Sequence, residues 1–148
     1  MNITDYMTPD PITVFSGMSL PDARRTLREN HFRHLPVVDE EKKLIGIITD
    51  RDLRSAYPSS VVSKKDSIIA YEQVEQKTVA DIMTSSCSTL GIDARLHDAL
   101  LIFDRDQVGG IPVVDDDGRV LGIFSLLDLT AAYRKLFGVS QKDSLLIR

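Results

Sequence analysis

The sequence predicts an α/β (α+β) fold made of two β-α-β-β-α repeats packed with pseudo-twofold symmetry. Three observations point there. Asp5-Tyr6-Met7-Thr8 returns as Asp81-Ile82-Met83-Thr84, Leu35-Pro36-Val37-Val38-Asp39 as Ile111-Pro112-Val113-Val114-Asp115, and Ala56-Tyr57 as Ala132-Tyr133, always 76 positions later and without a gap from residue 5 to residue 57. Each copy contains a buried-type apolar run that ends in a hydroxyl residue and turns at once into a helix: Gly46-Ile47-Ile48-Thr49-Asp50-Arg51-Asp52-Leu53 and Gly122-Ile123-Phe124-Ser125-Leu126-Leu127-Asp128-Leu129. Finally, a copy of about 53 residues is near the size at which a lone core is marginal, so two copies are expected to share one interior and to place twin sites across it.

The elements follow from local pattern. Asp5 to Met7 reads as a short turn that leads into the first copy, and Ile12-Thr13-Val14 as a short strand. Ser19-Leu20-Pro21-Asp22 opens a helix, with a hydroxyl at the cap, proline in the first turn and an acid three residues on. Leu20, Ala23 and Leu27 form its apolar stripe, which leaves Arg24, Arg25 and Arg28 as a solvated face. His34–Val38 and Leu44–Thr49 read as strands joined by the polar turn at 39–43, and a second helix runs from Asp50 and stops before Pro58.

The second copy repeats the order. Its leading segment is Val79–Met83, a strand lies near Ser88–Leu90, and a helix carries the stripe Leu96, Ala99, Leu100 and Phe103. Strands at Ile111–Val114 and Val120–Phe124 precede a helix from Leu126 to about Phe137, with Gly138 as its stop. Asp115-Asp116-Asp117-Gly118 fits a turn and matches no EF-hand spacing. The expected organisation is repeat 1 at 1–57, a connector at 58–78 with a helix-compatible stretch at 67–76, repeat 2 at 79–137, and a tail at 138–148. In that tail Leu145-Leu146-Ile147 reads as the start of a further element.

Composition narrows the function classes. Of the 148 residues 43% are hydrophobic and 27% charged, ordinary for a globular domain, and the formal net charge of −4 comes with no Lys/Arg stripe, which argues against nucleic acid as a partner. The N-terminus lacks a basic region followed by an apolar run, and no apolar stretch approaches the roughly 20 residues that span a bilayer, so no membrane association is expected. A single cysteine, Cys87, excludes an internal disulfide and fits a cytoplasmic protein. It stands where the first copy has Pro11, a loop position.

The strand-to-helix corners carry the chemistry. A helix N-terminus has unpaired N–H groups and the positive end of the macrodipole, which stabilise a phosphate, and the hydroxyl of Thr49 or Ser125 adds a hydrogen bond. Asp52 and Asp128, one turn on, reach a ribose diol much as the acid of a dinucleotide fold does. The same Ser/Thr-x-x-Asp pattern also reads as a capping box that needs no ligand. His31, His34 and His97 fall on different elements, with no His-Glu-x-x-His or Cys-x-x-Cys pattern, and no phosphate-loop, Gly-x-Gly-x-x-Gly or nucleophile-elbow motif occurs, so neither a metal site nor a catalytic residue is expected.

These motifs, Asp-x-Met-Thr, apolar-Pro-Val-Val-Asp and Gly-apolar-apolar-[Ser/Thr]-x-x-Asp-Leu, resemble those of a tandem pair of cystathionine-β-synthase (CBS) domains, the arrangement called a Bateman module. The resemblance covers residues 5 to 137. Within the family, the stretch from Arg33 to Glu41, then Thr49 to Ala56 and Pro58-Ser59, resembles the acetoin-utilisation type, whose members often carry a small ACT-like domain after the pair.

The resemblance implies two clefts between the repeats that take an adenine nucleotide (AMP, ADP or ATP), alone or with Mg2+, and no other cofactor. Thr49 and Ser125 would meet phosphate, while Asp52 and Asp128 would hold the ribose hydroxyls. His34-Leu35 before Pro36, and Gly110-Ile111 before Pro112, would offer backbone groups and apolar surface to the adenine. Ala23 and Ala99 would leave room for a flat base, with Thr13 and Thr89, at the ends of the first strands, as further candidates.

The two sites are expected to differ. Residues 1–57 hold 8 Lys/Arg against 9 Asp/Glu and residues 79–137 hold 5 against 9; Arg51 in the first corner is replaced by Leu127 in the second. A phosphate chain should therefore favour the first corner, with Arg33 as a further cation or simply an exposed arginine. The resulting expectation is a regulatory module, not an enzyme, that forms a homodimer and acts on an attached C-terminal domain or a regulated partner protein. Its alternatives are a module with empty clefts that serves structure or dimerisation, and a sensor of S-adenosylmethionine or another adenosyl compound.

Overall fold

A leading segment followed by a helix and a strand pair is built twice. The computed structural model describes residues 1–58, 64–140 and 142–143; part of the connector and the apolar run Leu145-Leu146-Ile147 lie outside the described residues. After a 3-10 turn at Ile3–Asp5 come β1 (Thr8–Pro9), β2 (Val14–Phe15), α1 (Leu20–Asn30), β3 (His34–Val38), β4 (Leu44–Thr49) and α2 (Asp50–Ala56). The connector supplies α3 (Lys64–Glu75). The second copy supplies α4 (Val79–Ile82), β5 (Thr84–Ser85), β6 (Leu90–Gly91), α5 (Leu96–Asp106), β7 (Gly110–Val114), β8 (Val120–Ser125) and α6 (Leu126–Phe137).

Local chemistry sets the boundaries. Ser19 caps α1 by accepting a hydrogen bond from the Asp22 amide, with Pro21 in the first turn, and His31 closes the helix in the left-handed region (φ 56°). Gly138, at φ 64°, ends α6, the stop expected of a glycine after Phe137. The first strand of each copy lies slightly later than its apolar run suggests. Val14 and Phe15 form the ladder because they pair in parallel with Val37 and Val38, as Leu90 and Gly91 do with Val113 and Val114, whereas Ile12 and Thr13 precede the ladder and are exposed. Leu100 also departs from expectation: it is half exposed, because a helix that turns Leu96, Ala99 and Phe103 inward carries Leu100 off that face.

Two compact units result, and they divide the chain differently from the repeats. The Thr49 unit comprises Pro11–Cys87 with Asp117–Val120; the Ser125 unit comprises Met1–Asp10, Ser88–Asp116 and the chain from Leu121. In the Thr49 unit the sheet order is β2-β3-β4-β5, with β2 parallel to β3 and the other pairs antiparallel. In the Ser125 unit the order is β1-β8-β7-β6. The leading segments are thus exchanged: β5 of the second copy edges the first copy's sheet, and β1 of the first copy edges the second's.

The cores record the same exchange. Val79, from the second copy, is fully buried beside Val14, Leu20, Leu35, Val37, Ile48 and Leu53. Ile3, from the first, is fully buried with Leu90, Ala99, Phe103, Ile111, Val113 and Phe124. Phe103 and Phe124 stack with centroids 6.1 Å apart.

Two glycines make the exchange possible. A Cβ on Gly46 would stand 2.8 Å from the Thr84 carbonyl oxygen and 2.9 Å from the Met83 sulfur, and one on Gly122 would stand 2.5 Å from the Met7 sulfur and 2.8 Å from the Thr8 carbonyl oxygen. Only a residue without Cβ lets the crossing segment lie that close.

Gly46→Ala and Gly122→Ala should therefore each destabilise the protein by about 1–3 kcal/mol through overpacking against backbone, measured by urea unfolding. Gly17→Ala and Gly91→Ala, whose added Cβ meets nothing within 4 Å, serve as controls and should leave the transition nearly unmoved.

Candidate functional site

Each corner is made where a pair of neighbouring strands delivers a hydroxyl residue to the start of a helix. In the Thr49 unit, His34 lies opposite Thr49 in the β3/β4 ladder, Leu35 opposite Ile48 and Pro36 opposite Ile47. Thr49 is the N-cap of α2 (φ −117°, ψ 163°). Its Oγ1 accepts from the Asp52 amide at 3.1 Å, and Asp52 Oδ2 accepts from the Thr49 amide at 2.9 Å. The Ser125 corner copies this: Ser125 Oγ accepts from the Asp128 amide at 3.2 Å, and Asp128 Oδ2 accepts from the Ser125 amide at 2.7 Å.

Both corners are thus reciprocal capping boxes. The first helical amide is occupied as well, since Asp50 N–H donates to the Arg33 carbonyl at 3.0 Å and Leu126 N–H to the Gly109 carbonyl at 3.1 Å. The helix starts are less open to an anion than an uncapped N-terminus would be. Capacity remains nonetheless. A hydroxyl that accepts a hydrogen bond still has its own proton to donate, and a carboxylate bonded through one oxygen still has the other. Among the described residues no partner takes up Asp52 Oδ1, Asp128 Oδ1 or the amides of Arg51 and Leu127. Thr49, Asp52, Ser125 and Asp128 are all partly exposed.

The other candidates divide by burial. Leu35, Pro36, Ile111 and Pro112 are fully buried, so their side chains belong to the cores. Gly110 is buried too, in β7 at the place that His34 holds in β3. Ala23 and Ala99 are fully buried on the inward faces of α1 and α5, where a small residue lets each helix approach its sheet. Thr13 and Thr89 are exposed and stand just before β2 and β6. Arg51 is exposed on the first turn of α2, and its counterpart Leu127 is 71% exposed, an apolar side chain in water where the first corner has a cation.

His34 is the group of the first corner whose titration the fold shifts. Burial holds its imidazole below the ordinary value, against the raising influence of Asp50 and with a further lowering by Arg33; Asp52 also raises it. Burial likewise pushes the Cys87 thiol up, away from the thiolate that a nucleophile needs. No cluster of three or more metal-ligating side chains occurs among the described residues, and no described helix is long and apolar enough to cross a membrane. Sequence reasoning missed the Arg33 carbonyl as an anchor for α2 and both glycines as crossing points; the repeated Gly directly before each apolar-hydroxyl run was the available signal.

Comparison with known proteins agrees with this architecture. The model of the family described as CBS domain matches residues 3–59 and 79–135. Among solved structures, the CBS pair of CBSX2 in complex with AMP is 27% identical with a TM-score of 0.75, covering 91% of this chain and 97% of that one. A CBS domain pair in complex with 5′-methylthioadenosine and S-adenosyl-L-methionine is 31% identical with a TM-score of 0.75, covering 90% and 95%. An acetoin utilization protein of Vibrio cholerae is 25% identical with a TM-score of 0.72, covering 96% of each chain. The chain spans about a quarter of some longer relatives: it matches 23% of the L-aspartate semialdehyde sulfurtransferase of Methanocaldococcus jannaschii, at 32% identity over 92% of its own length.

Two outcomes follow from the corner geometry without any ligand. Thr49→Ala and Ser125→Ala should each cost about 0.5–2 kcal/mol in urea unfolding through loss of the cap. The depressed His34 pKa means that the unfolded chain binds a proton more readily than the folded one. Stability should therefore fall as pH drops through the ordinary imidazole value of about 6.5 toward the lower folded one, and His34→Gln should flatten that part of the melting-temperature profile.

Proposed function

The chain belongs to the CBS domain family as a tandem pair, and on that footing we propose that it is a regulatory module that senses an adenosyl ligand, above all an adenine nucleotide such as AMP, ADP or ATP. One observation carries the reading. Each corner keeps a donor proton, a spare carboxylate oxygen and a free amide around one partly exposed strand-to-helix turn, in a chain that matches at 27–31% identity CBS pairs solved with AMP, or with 5′-methylthioadenosine and S-adenosylmethionine.

The chemistry assigns the parts. The carboxylate oxygen left on Asp52 or Asp128 accepts from a ribose hydroxyl, and the hydroxyl of Thr49 or Ser125 with the next amide donates to a phosphate oxygen. The backbone at His34-Leu35 and Gly110-Ile111 meets the base edge, with the neutral imidazole of His34 close by. Arg51 gives the first corner a cation for phosphate. The second corner, with Leu127 in that place, suits an adenosyl compound without a phosphate chain. Binding, not turnover, is the activity assigned to this chain. A ligand that prefers one packing of the module over another shifts it by no more than that difference in affinity, and a homodimer together with a regulated partner or further domain completes the reading.

The capping boxes favour a second reading, in which the same four side chains only start helices and the clefts serve structure. Calorimetry with AMP, ADP, ATP and S-adenosylmethionine separates the two. Sensing predicts saturable heat with AMP. It also predicts a loss of about tenfold or more for Asp52→Ala, as expected for a charged hydrogen-bond partner, and a smaller loss for Asp128→Ala. Absence of heat and of thermal stabilisation at millimolar ligand refutes the sensing reading; equal losses refute the ranking of the corners.

A further inference from the structure

The register of the β3/β4 ladder brings one more side chain to the first corner. His34 stands directly opposite Thr49. Asp50 N–H bonds the Arg33 carbonyl while the Thr49 amide leaves the ladder for Asp52, which makes His34 and Thr49 a non-hydrogen-bonded pair, the kind whose side chains lie closer. Their strand neighbours Leu35 and Ile48 are fully buried in the core. The alternation of a strand therefore sends the His34 imidazole and the Thr49 hydroxyl together to the other face, with Cβ atoms about 4.5–5.5 Å apart. Both residues are half-buried.

Three charged groups act on the imidazole there. Arg33 precedes it in the chain, and Asp50 and Asp52 reach it from the first turn of α2; Thr49, on β4, is neutral. Burial is the strongest influence and holds the ring in its neutral form at pH 7, with the two carboxylates drawing it toward the charged form and Arg33 away from it. A phosphate bonded to Thr49 adds up to about two negative charges beside the ring, which outweigh the single charge of Arg33. The second corner has no such group. Gly110 stands where His34 does, and Leu126 N–H bonds the Gly109 carbonyl as Asp50 N–H bonds that of Arg33. The same capped corner forms around a glycine, so its structure does not require the imidazole.

The inference rests on the nucleotide-sensing reading and deepens it: we propose that His34 couples the first corner to protons, its imidazole taking up a proton as the phosphate of an adenine nucleotide binds at Thr49. The proton comes from solvent and forms an N–H that donates to a phosphate oxygen. Because binding takes up a proton, the affinity of this corner rises as pH falls. His34 is thereby a specificity residue, since it favours a phosphate over a bare adenosyl group, and Gly110 gives the second corner no such preference.

Titration calorimetry of the full chain with AMP and with adenosine, between about pH 8 and about pH 6, tests this. The second ionisation of AMP falls near pH 6 as well, so the quantity read is the difference between the wild type and His34→Gln, which share it. As pH falls, the AMP affinity of the wild type should rise about three- to tenfold more than that of His34→Gln, the gain expected of a pKa raised by up to about one unit on binding. Heats in two buffers of different ionisation enthalpy should show the matching proton uptake. His34→Arg, charged throughout, should bind AMP tightly at the alkaline end and share the pH slope of His34→Gln, an outcome that a merely structural role would not give. With adenosine, the wild type and His34→Gln should respond to pH alike. Equal AMP slopes for the wild type and His34→Gln, or a difference that persists with adenosine, overturn the proposal and leave nucleotide sensing intact. Absence of AMP binding at every pH overturns the sensing reading and this inference with it.

Discussion

The crossing of each leading segment over a glycine of the other copy's sheet is the constraint from which the rest follows. A strand of two residues contributes little hydrogen bonding by itself, so β1 and β5 hold only because the backbone of β8 and β4 lets them approach to van der Waals distance at Gly122 and Gly46. That approach seats Ile3 and Val79 in the cores, each completely buried. Both residues come from the opposite copy, so neither core is complete within one repeat. The marginal size of a lone repeat is thereby answered in a specific way, by exchange of an edge strand and one core side chain in each direction.

The glycines also lie three residues before the corner hydroxyls, on the same strands. The strand that supports the crossing segment is therefore the strand that delivers Thr49 or Ser125 to its helix. Stability and binding capacity meet at one place. The capping box fixes the carboxylate and hydroxyl relative to each other before any ligand arrives, which lowers the ordering cost of binding. It also means that substitutions there act on folding and on affinity together, so affinity changes must be read against the melting temperature of the same variant.

Much of this was legible in the sequence because it is local. The constant offset of 76 positions revealed the duplication, the stripes Leu20-Ala23-Leu27 and Leu96-Ala99-Leu100-Phe103 gave the inward faces except at Leu100, and Ser19, Thr49, Ser125 and Gly138 marked helix ends through cap chemistry that operates over three or four residues. What escaped depends on contacts far apart in sequence. Nothing near Thr8 or Thr84 says which sheet those residues will edge, and the requirement for Gly46 and Gly122 exists only once Met83 and Met7 lie above them. Leu35 and Ile111 read as surfaces for a base because they precede a proline in the family motif, but their side chains face the cores. Arg24 and Arg28 read as a solvated face and are exposed; that α2 turns Arg54 and Tyr57 toward the same side depends on packing that periodicity does not show.

The two halves share their backbone design and differ in their charge. His34 and Arg51 in one corner answer to Gly110 and Leu127 in the other, and Arg24, Arg28 and Arg54 of one helix pair answer to Leu100, Asp104 and Thr130. Hydrogen exchange of the backbone amides with and without AMP tests the central claim most directly. The account predicts slower exchange confined to residues 33–36 and 49–52, with a weaker effect at 109–112 and 125–128. No change on adding AMP, or protection that spares both corners, would contradict it.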